Sequence, residues 1–298
     1  MDRFDAMQLF IRIVERRSFT AAAHDTGVPR STVTDVIKQM EARLGVQLLH
    51  RTTRVVRPTL DGQAYYYRCR AILDDIEDAD GAFADAEPKG LLKIEVQGTL
   101  ARFFLMPSLP DFLARYSQID LTISERDRWV DLVEEGVDCA IRWGELPDSD
   151  LIVRPLGMAK RITCASPEYL GAFGQPKSLS DLEAHRMVGR KSLTTGEIRP
   201  LQFVIDDDVQ SVVPPARVSV TGPESYRDAT RLGLGLAQMP LFHIDEDLKS
   251  GRLVTVLPGI PVPDVPISLL YPRSRQLSSR VRVFIDWTVA AFRDERFM

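Results

Sequence analysis

The sequence predicts an α + α/β chain: a small helical head closed by a hairpin, one long helix, and a larger α/β body. Three observations carry this. Apolar residues recur at helical spacing from Phe4 to Leu44 with a glycine break at Gly27. From 61 to 86 they repeat by four and three. Beyond Gly90, strand-like runs alternate with helical ones.

Phe4, Met7, Phe10, Ile11 and Val14 form the inner face of a first helix, with Arg16 and Arg17 at its C-terminal end, where cations suit the helix dipole. Ser18 is an N-cap for the next helix. Thr20, Ala21, Ala22 and Ala23 give that helix a face of little bulk, so another helix can cross closely. Gly27 supplies the positive φ of a tight inter-helix turn, and Pro29 suits the start of the helix after it. From Arg30 to Leu44, the residues Val33, Ile37, Met40 and Leu44 mark the packed face. Arg30, Ser31, Thr34, Asp35 and Lys38 occupy the opposite face, as a helix lying in a DNA major groove requires. This is a helix-turn-helix pattern; two helices of an ordinary bundle would give the same spacing. The segment from Leu48 to Thr59 then reads as a short basic hairpin, a wing, carrying Arg51, Arg54 and Arg57. Any single arginine there has a solvated surface charge as its plain alternative, and Arg51 a structural ion pair.

Residues 61–86 read as one long helix. Its stripe of Tyr65, Cys69, Ile72, Ile76, Ala79 and Phe83 forms an a/d seam, while Asp74, Asp75, Glu77, Asp78 and Asp80 take the outer face. The seam fits the same helix of a second subunit, which would set two heads about 34 Å apart along DNA; packing onto the chain's own body is the alternative. Pro88-Lys89-Gly90 breaks the helix as a hinge. Strands follow at Leu91 to Gln97, Leu121 to Glu125, Asp138 to Arg142, Arg161 to Ala165, Leu201 to Ile205, Val218 to Thr221, Leu236 to Met239 and Ile267 to Tyr271. Helices are expected at Pro107 to Tyr116 (Leu109, Phe112, Leu113 and Tyr116 inward), around Trp129 to Glu135, and over 275–293 with Val281, Ile285, Val289 and Phe292 inward. Strand–helix alternation of this kind predicts parallel sheets.

Charge separates the two parts. The 298 residues carry a formal net charge of −4, yet residues 1–60 hold ten Lys/Arg against six Asp/Glu. A basic head on an acidic body is expected when only the head meets phosphate. The N-terminus lacks the pattern of a signal peptide, no apolar run is long enough to span a membrane, and Cys69, Cys139 and Cys164 lie far apart. A reducing cytoplasm is therefore expected. His24, His50, His185 and His243 lack metal-type spacing, so no metal is expected. Gly233-Leu234-Gly235 lacks the third glycine of a dinucleotide loop and follows helix–strand order, the reverse of that motif. No cofactor and no enzymatic activity are expected; Cys139 and Cys164 read as buried, inert thiols, with a redox sensor as the alternative.

The stretch SFTAAAHDTGVPRSTVTDVIKQMEARLGVQLLHRTTRVVRPTLDG resembles the N-terminal half of a LysR-type transcriptional regulator, through Ala22-Ala23, Leu44-Gly45, Leu48-Leu49, Arg51 and Thr59-x-x-Gly62. Asp35 departs from the family, which often carries Arg there, and bears on base preference. LMPSLPDFLARY, VDLVEEGVDCAIRWGEL, CASPEYL and RLGLGLAQMP resemble the family's effector-binding domain. The resemblance implies a winged helix-turn-helix at 1–60, a linker helix at 61–88, and a two-lobed α/β domain of the periplasmic-binding-protein type at 89–298. Its first lobe would be about 91–158 plus 266–298, its second about 159–265. It also implies homotetramers built from homodimers, an inverted-repeat promoter site on double-stranded DNA, a small-molecule effector, and RNA polymerase as a further partner. A solute-binding or enzymatic α/β protein with an oligomerising helical segment is the alternative from another class.

Ligands of open parallel sheets settle beyond the carboxyl ends of strands. Two such places are Gln97 to Ala101 and Gly222 to Ser225. If the lobes face each other, two helix N-termini meet in one cleft and favour an anion. Thr99, Leu100, Arg126, Arg142, Gln202, Gly222 and Ser225 are the candidate effector contacts, and the effector is expected to bear a carboxylate. A helix cap is the alternative for Thr99, and an ion pair at a strand end for Arg142.

Overall fold

Asp2 and Asp5 start the first helix, α1 (Arg3–Arg16), each carboxylate accepting from the other's backbone N–H at 2.8 and 3.1 Å. The computed structural model describes residues 1–51, 56–81, 87–127, 131–273 and 277–292, with the side chains of 51, 74, 75 and 77–81 also outside the description. In α1 the fully buried stripe is Ala6, Leu9, Phe10 and Ile13; the expected Phe4, Met7, Ile11 and Val14 flank it, half-buried. Arg17, in the left-handed region at φ 50°, ends α1. The Ser18 hydroxyl accepts from the Ala21 N–H and opens α2 (Phe19–Thr26), whose buried Ala22 and Ala23 admit α3 (Arg30–Leu44). Gly27 makes the turn between them at φ 66°. Arg16 holds Asp25 through two bonds of 2.6 and 3.0 Å, so α1 also grips the end of α2.

Val33, Ile37 and Met40 of α3 are buried, each contributing on the order of 1.5–3 kcal/mol. Leu44 is not: it ends the helix beside left-handed Gly45 and faces solvent. β1 (Leu49–Arg51) and β2 (Val56–Pro58) pair antiparallel as a hairpin whose tip, 52–55, lies outside the described residues. The long helix α4 (Leu60–Gly81) follows.

Two α/β bodies complete the chain. The first holds β3 (Gly90–Val96), a π-turn at Ala101–Leu105, α5 (Leu109–Arg115), β4 (Ile119–Glu125), β5 (Cys139–Trp143) and β6 (Ile152–Ala159). The second holds β7 (Arg161–Ala165), α6 (Pro167–Phe173), β8 (Val188–Arg190), β9 (Leu201–Ile205), β10 (Asp208–Val212), β11 (Val218–Val220), α7 (Pro223–Arg231), β12 (Ala237–Pro240), α8 (Leu241–Lys249) and β13 (Val254–Thr255). The chain then returns to the first body with β14 (Val265–Tyr271) and α9 (Ser279–Ala291).

The sheets are mixed rather than parallel. The five-stranded order is β4-β3-β5-β14-β6, with β3 parallel to β4 and β5 but β14 antiparallel to both neighbours. β14 returns from the second body in the opposite sense, so the crossover sets its direction. In the second body β11 and β8 run parallel, while β12-β7-β13 is antiparallel. Phe104, Phe112, Phe284 and Phe292 anchor the core of the first body. Tyr169, Phe203 and Leu236 sit in one core of the second, Val188, Tyr226 and Met239 in another. Val281, Ile285 and Phe292 are buried and Val289 half-buried, but Leu113 of α5 is exposed near that short helix's end. The helix expected at Trp129 to Glu135 is, over its described part, a turn: Asp131 Oδ1 accepts from the N–H groups of Val133 and Glu134, and Gly136 at φ 63° reverses the chain. No helix among the described residues is long and apolar enough to cross a membrane.

Candidate nucleic-acid interface and ligand cleft

Burying Val33, Ile37 and Met40 turns Arg30, Ser31, Asp35 and Lys38 outward as one exposed face of α3. Thr34 is half-buried at the edge of that face, its hydroxyl donating to the Arg30 carbonyl at 3.0 Å. A hydroxyl so bonded keeps its lone pairs as acceptors for a base amine. Arg57 of β2 is exposed on the hairpin. The Arg51 side chain and Arg54 lie outside the described residues.

The hairpin is fixed to α3 by residues the sequence reading gave no such role. Glu41 Oε1 accepts from the backbone N–H groups of Leu48 and Leu49 at 3.0 and 3.2 Å. Thr59 then ties hairpin to linker: its hydroxyl donates to the Gln47 carbonyl at 2.6 Å and accepts from the Gly62 N–H at 2.9 Å, capping α4. A Cβ at Gly62 would overlap the Leu48 carbonyl, so only glycine lets α4 lie this close. The Thr59-x-x-Gly62 motif is thus a cap and a close approach three residues apart.

The expected seam on α4 is divided. Cys69 is fully buried inside the head and Tyr65 packs there too, its ring 5.6 Å from that of Phe10. Cys69 wholly, and Tyr65 in part, are thus taken up by the head's own core. Burial also raises the Cys69 thiol to about 11, which keeps it protonated. Ile72 and Ile76 remain exposed, at 43% and 39%. Ala79 and Phe83 lie outside the described side chains.

Between the two bodies lies a cleft lined by Gln97 to Leu100, Asp127 and Trp143 on one side, and by Arg161, Arg190, Arg199, Pro223, Tyr226 and Gln238 on the other. Its cavity measures about 70 Å³. A single water needs about 10–15 Å³ on that measure, so the space holds more than a few waters and has room for a small organic molecule. Thr99 and Leu100 line it, and Gly222 and Ser225 border the adjoining mouth with Arg126. The helix termini there are weaker than expected. After Leu100 comes a five-residue π-turn, and α7 begins with Pro223, which has no N–H, followed by its own Glu224.

Arg142 is not a cleft residue. It is 3% exposed and bonded to Glu95, which is fully buried, and its Nη1 donates to the Arg126 carbonyl at 2.8 Å. Burial pushes the Glu95 carboxyl up, with Arg142 and then Arg126 opposing. Arg126 pairs with Glu135 and lies 3.8 Å from Glu95. Gln202 is also spoken for, its Oε1 accepting from Arg161 Nη2 at 3.1 Å.

The cations that do line the cleft are Arg161, Arg190 and Arg199, which the sequence reading did not single out. Burial lowers Arg161, and the charge of Arg199 lowers it further; burial and then the charge of Arg190 lower Arg199. All three line the same cavity, so their like charges oppose one another there. Arg190 Nη2 donates to Asp127 Oδ2 at 2.9 Å, joining the two bodies. His243, at the cleft wall, has its Nε2 3.1 Å from Glu224, and burial lowers its pKa. The one sequence signal for these arginines was position: Arg161 and Arg190 sit at strand ends, as Arg142 does.

Two family models match the chain: a bacterial regulatory helix-turn-helix protein of the lysR family over residues 4–63, and a LysR substrate binding domain over 85–293. An uncharacterized HTH-type transcriptional regulator of Escherichia coli, YhjC, is 39% identical over 298 residues and covers 99% of both chains. An HTH-type transcriptional repressor of Pseudomonas aeruginosa is 36% identical, covering 98% of this chain and 93% of its own. Among solved structures, CrgA of Neisseria meningitidis, a LysR-type transcriptional regulator, superposes with a TM-score of 0.61 at 28% identity, over 97% of this chain and 98% of that one. The Vibrio cholerae virulence activator AphB gives 0.58 at 27% identity, over 97% and 99%. With its helix-turn-helix head and two-body α/β effector domain, the chain belongs to the LysR family of transcriptional regulators.

Proposed function

We propose that α3 reads a promoter site in the major groove and that the cleft senses a small carboxylate-bearing effector. The observation that carries the first part is the division of α3: Val33, Ile37 and Met40 inward, Arg30, Ser31, Asp35 and Lys38 outward, with Arg57 of the hairpin exposed as well. Lys38 and the arginines serve phosphate; Thr34 and Asp35 serve base edges, Asp35 as an acceptor for a cytosine amine. Arg51 and Arg54, the hairpin's other arginines in sequence, belong to the same reading.

Two such heads on one inverted-repeat site require a homodimer, and the exposed Ile72 and Ile76 of α4 are the described residues left for that pairing. Tetramers and contact with RNA polymerase belong to the same proposed reading. The effector class rests on the three cleft arginines, whose charge Asp127 only partly balances, in a cavity with aromatic walls from Trp143, Tyr226 and Phe242. Thr99, Leu100, Gly222 and Ser225 complete the lining at the cleft and its mouth. A ligand preferring one arrangement of the two bodies shifts their population, and with it the spacing of the heads.

A gel shift with the chain's own upstream DNA, repeated at rising salt, tests the first part: affinity should fall steeply and linearly on a log–log plot. Salt-independent retention would refute phosphate contact.

A further inference from the structure

The cleft contains a carboxylate of its own, Asp127. Asp127 Oδ1 lies against the Gly98 turn, close enough that a methyl on Gly98 would meet it at 3.4 Å and Pro223 at 3.8 Å. Its other oxygen accepts from Arg190 Nη2 at 2.9 Å, and both side chains are largely enclosed, at 16% and 17% exposure. One carboxylate therefore bridges the 97–100 loop of the first body and the arginine of the second. That is where an anionic ligand spanning the cleft would sit. Arg190 remains under-satisfied: its Nη1 is buried with no hydrogen-bond partner among the described residues. Arg199, which lines the same cleft and is exposed, forms no ion pair with a carboxylate among the described residues. A guanidinium fork satisfied on one side, with a second guanidinium next to it, is a receptor for one more bidentate acceptor.

We propose that Asp127 is a built-in competitor for the effector, its side chain standing in for the ligand's carboxylate on Arg190. The proposal rests on the reading of this cleft as the effector site. An incoming carboxylate takes Arg190 together with Arg199 and frees Asp127 from the second body. Because Asp127 is tethered, it acts at a high effective concentration, of millimolar order, and sets a threshold that weak anions do not cross. The neutral amide of the same shape carries no charge to exchange and is rejected.

The test uses the full chain, with benzoate as the probe and benzamide as its neutral counterpart, followed by calorimetry and by the fluorescence of Trp143 in the cleft wall. Asp127→Asn removes the competing charge and should bind benzoate about tenfold or more tightly than the unaltered chain, with benzamide unchanged. Arg190→Gln should weaken benzoate binding, and Asp127→Asn combined with Arg190→Gln should gain nothing over Arg190→Gln alone. Asp127→Ser serves as the second variant should the asparagine form fail to fold. Benzoate binding that depends on Arg190 but is equal or weaker in Asp127→Asn overturns the role of Asp127 while leaving the cleft as the effector site. Benzoate binding indifferent to Arg190→Gln, or absent from every variant, overturns the cleft reading and the proposal with it.

Discussion

Removing the Glu41 carboxylate should loosen the wing without touching any groove-facing side chain. Glu41 Oε1 is the acceptor for two backbone N–H groups, those of Leu48 and Leu49, whose residues are fully buried. In Glu41→Ala both donors lose their acceptor, and each buried unsatisfied donor costs about 1–3 kcal/mol. The bonds lie at a partly buried edge, where water replaces some of what is lost, so the total falls near the low end, about 2–3 kcal/mol. Glu41→Gln keeps an oxygen there but not the charge, and should cost about 1 kcal/mol, since charge-assisted bonds are roughly twice as strong as neutral ones. Amide hydrogen exchange over 46–51 in the full chain reads this directly. A local loss of 2–3 kcal/mol is about 30- to 150-fold faster exchange in Glu41→Ala, and DNA affinity falls as the hairpin loses its register on α3. Exchange within about threefold of the unaltered chain would show that something else holds the wing and refute the accounting.

Four further outcomes follow from the same geometry. Thr34→Ala should relax base preference, whereas Lys38→Ala should weaken binding evenly across sequences and lower the salt slope by about one; gel shifts over a salt series separate the two. Gly62→Ala forces a methyl into the Leu48 carbonyl and should destabilise the head by about 1–3 kcal/mol in urea unfolding, with the effector domain melting unchanged. His243 has its pKa lowered by burial, so below pH 6.5 the unfolded chain takes up a proton that the folded chain refuses. The resulting stability is complete above pH 6.5 and is lost as pH falls from there through the folded value. Thermal melts from pH 8 to 5 should show it, and His243→Asn should flatten the slope, leaving the part from His185, also lowered by burial. Cys69, Cys139 and Cys164 are all buried, with thiols raised by burial, so the native chain should resist alkylation until it unfolds.

The head was legible because its determinants are local. A serine cap, an alanine face, a glycine turn and a helical stripe all act within a few residues of one another, and each does in the structure what its chemistry requires. The long helix shows where local reading stops. A heptad stripe states that one side of a helix is apolar and says nothing about what covers it. Tyr65 and Cys69 obey the same spacing as Ile72 and Ile76, yet α1 covers the first pair and leaves the second exposed. Strands β6 and β10 escaped notice for a related reason: they lie at sheet edges with largely exposed residues, so no alternation marks them. The direction of β14 depends on a return from the second body, which no window of sequence contains.

The cleft turns on a comparison the chain makes only in three dimensions. Arg142, Arg161 and Arg190 are all arginines at or near strand ends, and by spacing alone they are equivalent. What separates them is the nearest carboxylate. Glu95 sits in β3 within the run Leu91 to Val96, fully buried, and a carboxylate in that position must find a cation. β3 pairs directly with β5, where Glu95 aligns with Ala140, so Arg142 two residues further along the same strand is within reach and is consumed. Arg161 spends its hydrogen bonds on Gln202 and the Pro263 carbonyl, both neutral, and keeps its charge for the cleft. Arg190 meets Asp127, a carboxylate from the other body that opening of the cleft would withdraw. An arginine paired within its own sheet is structure; on the proposed reading, one paired across the cleft is the one an anionic ligand would compete for.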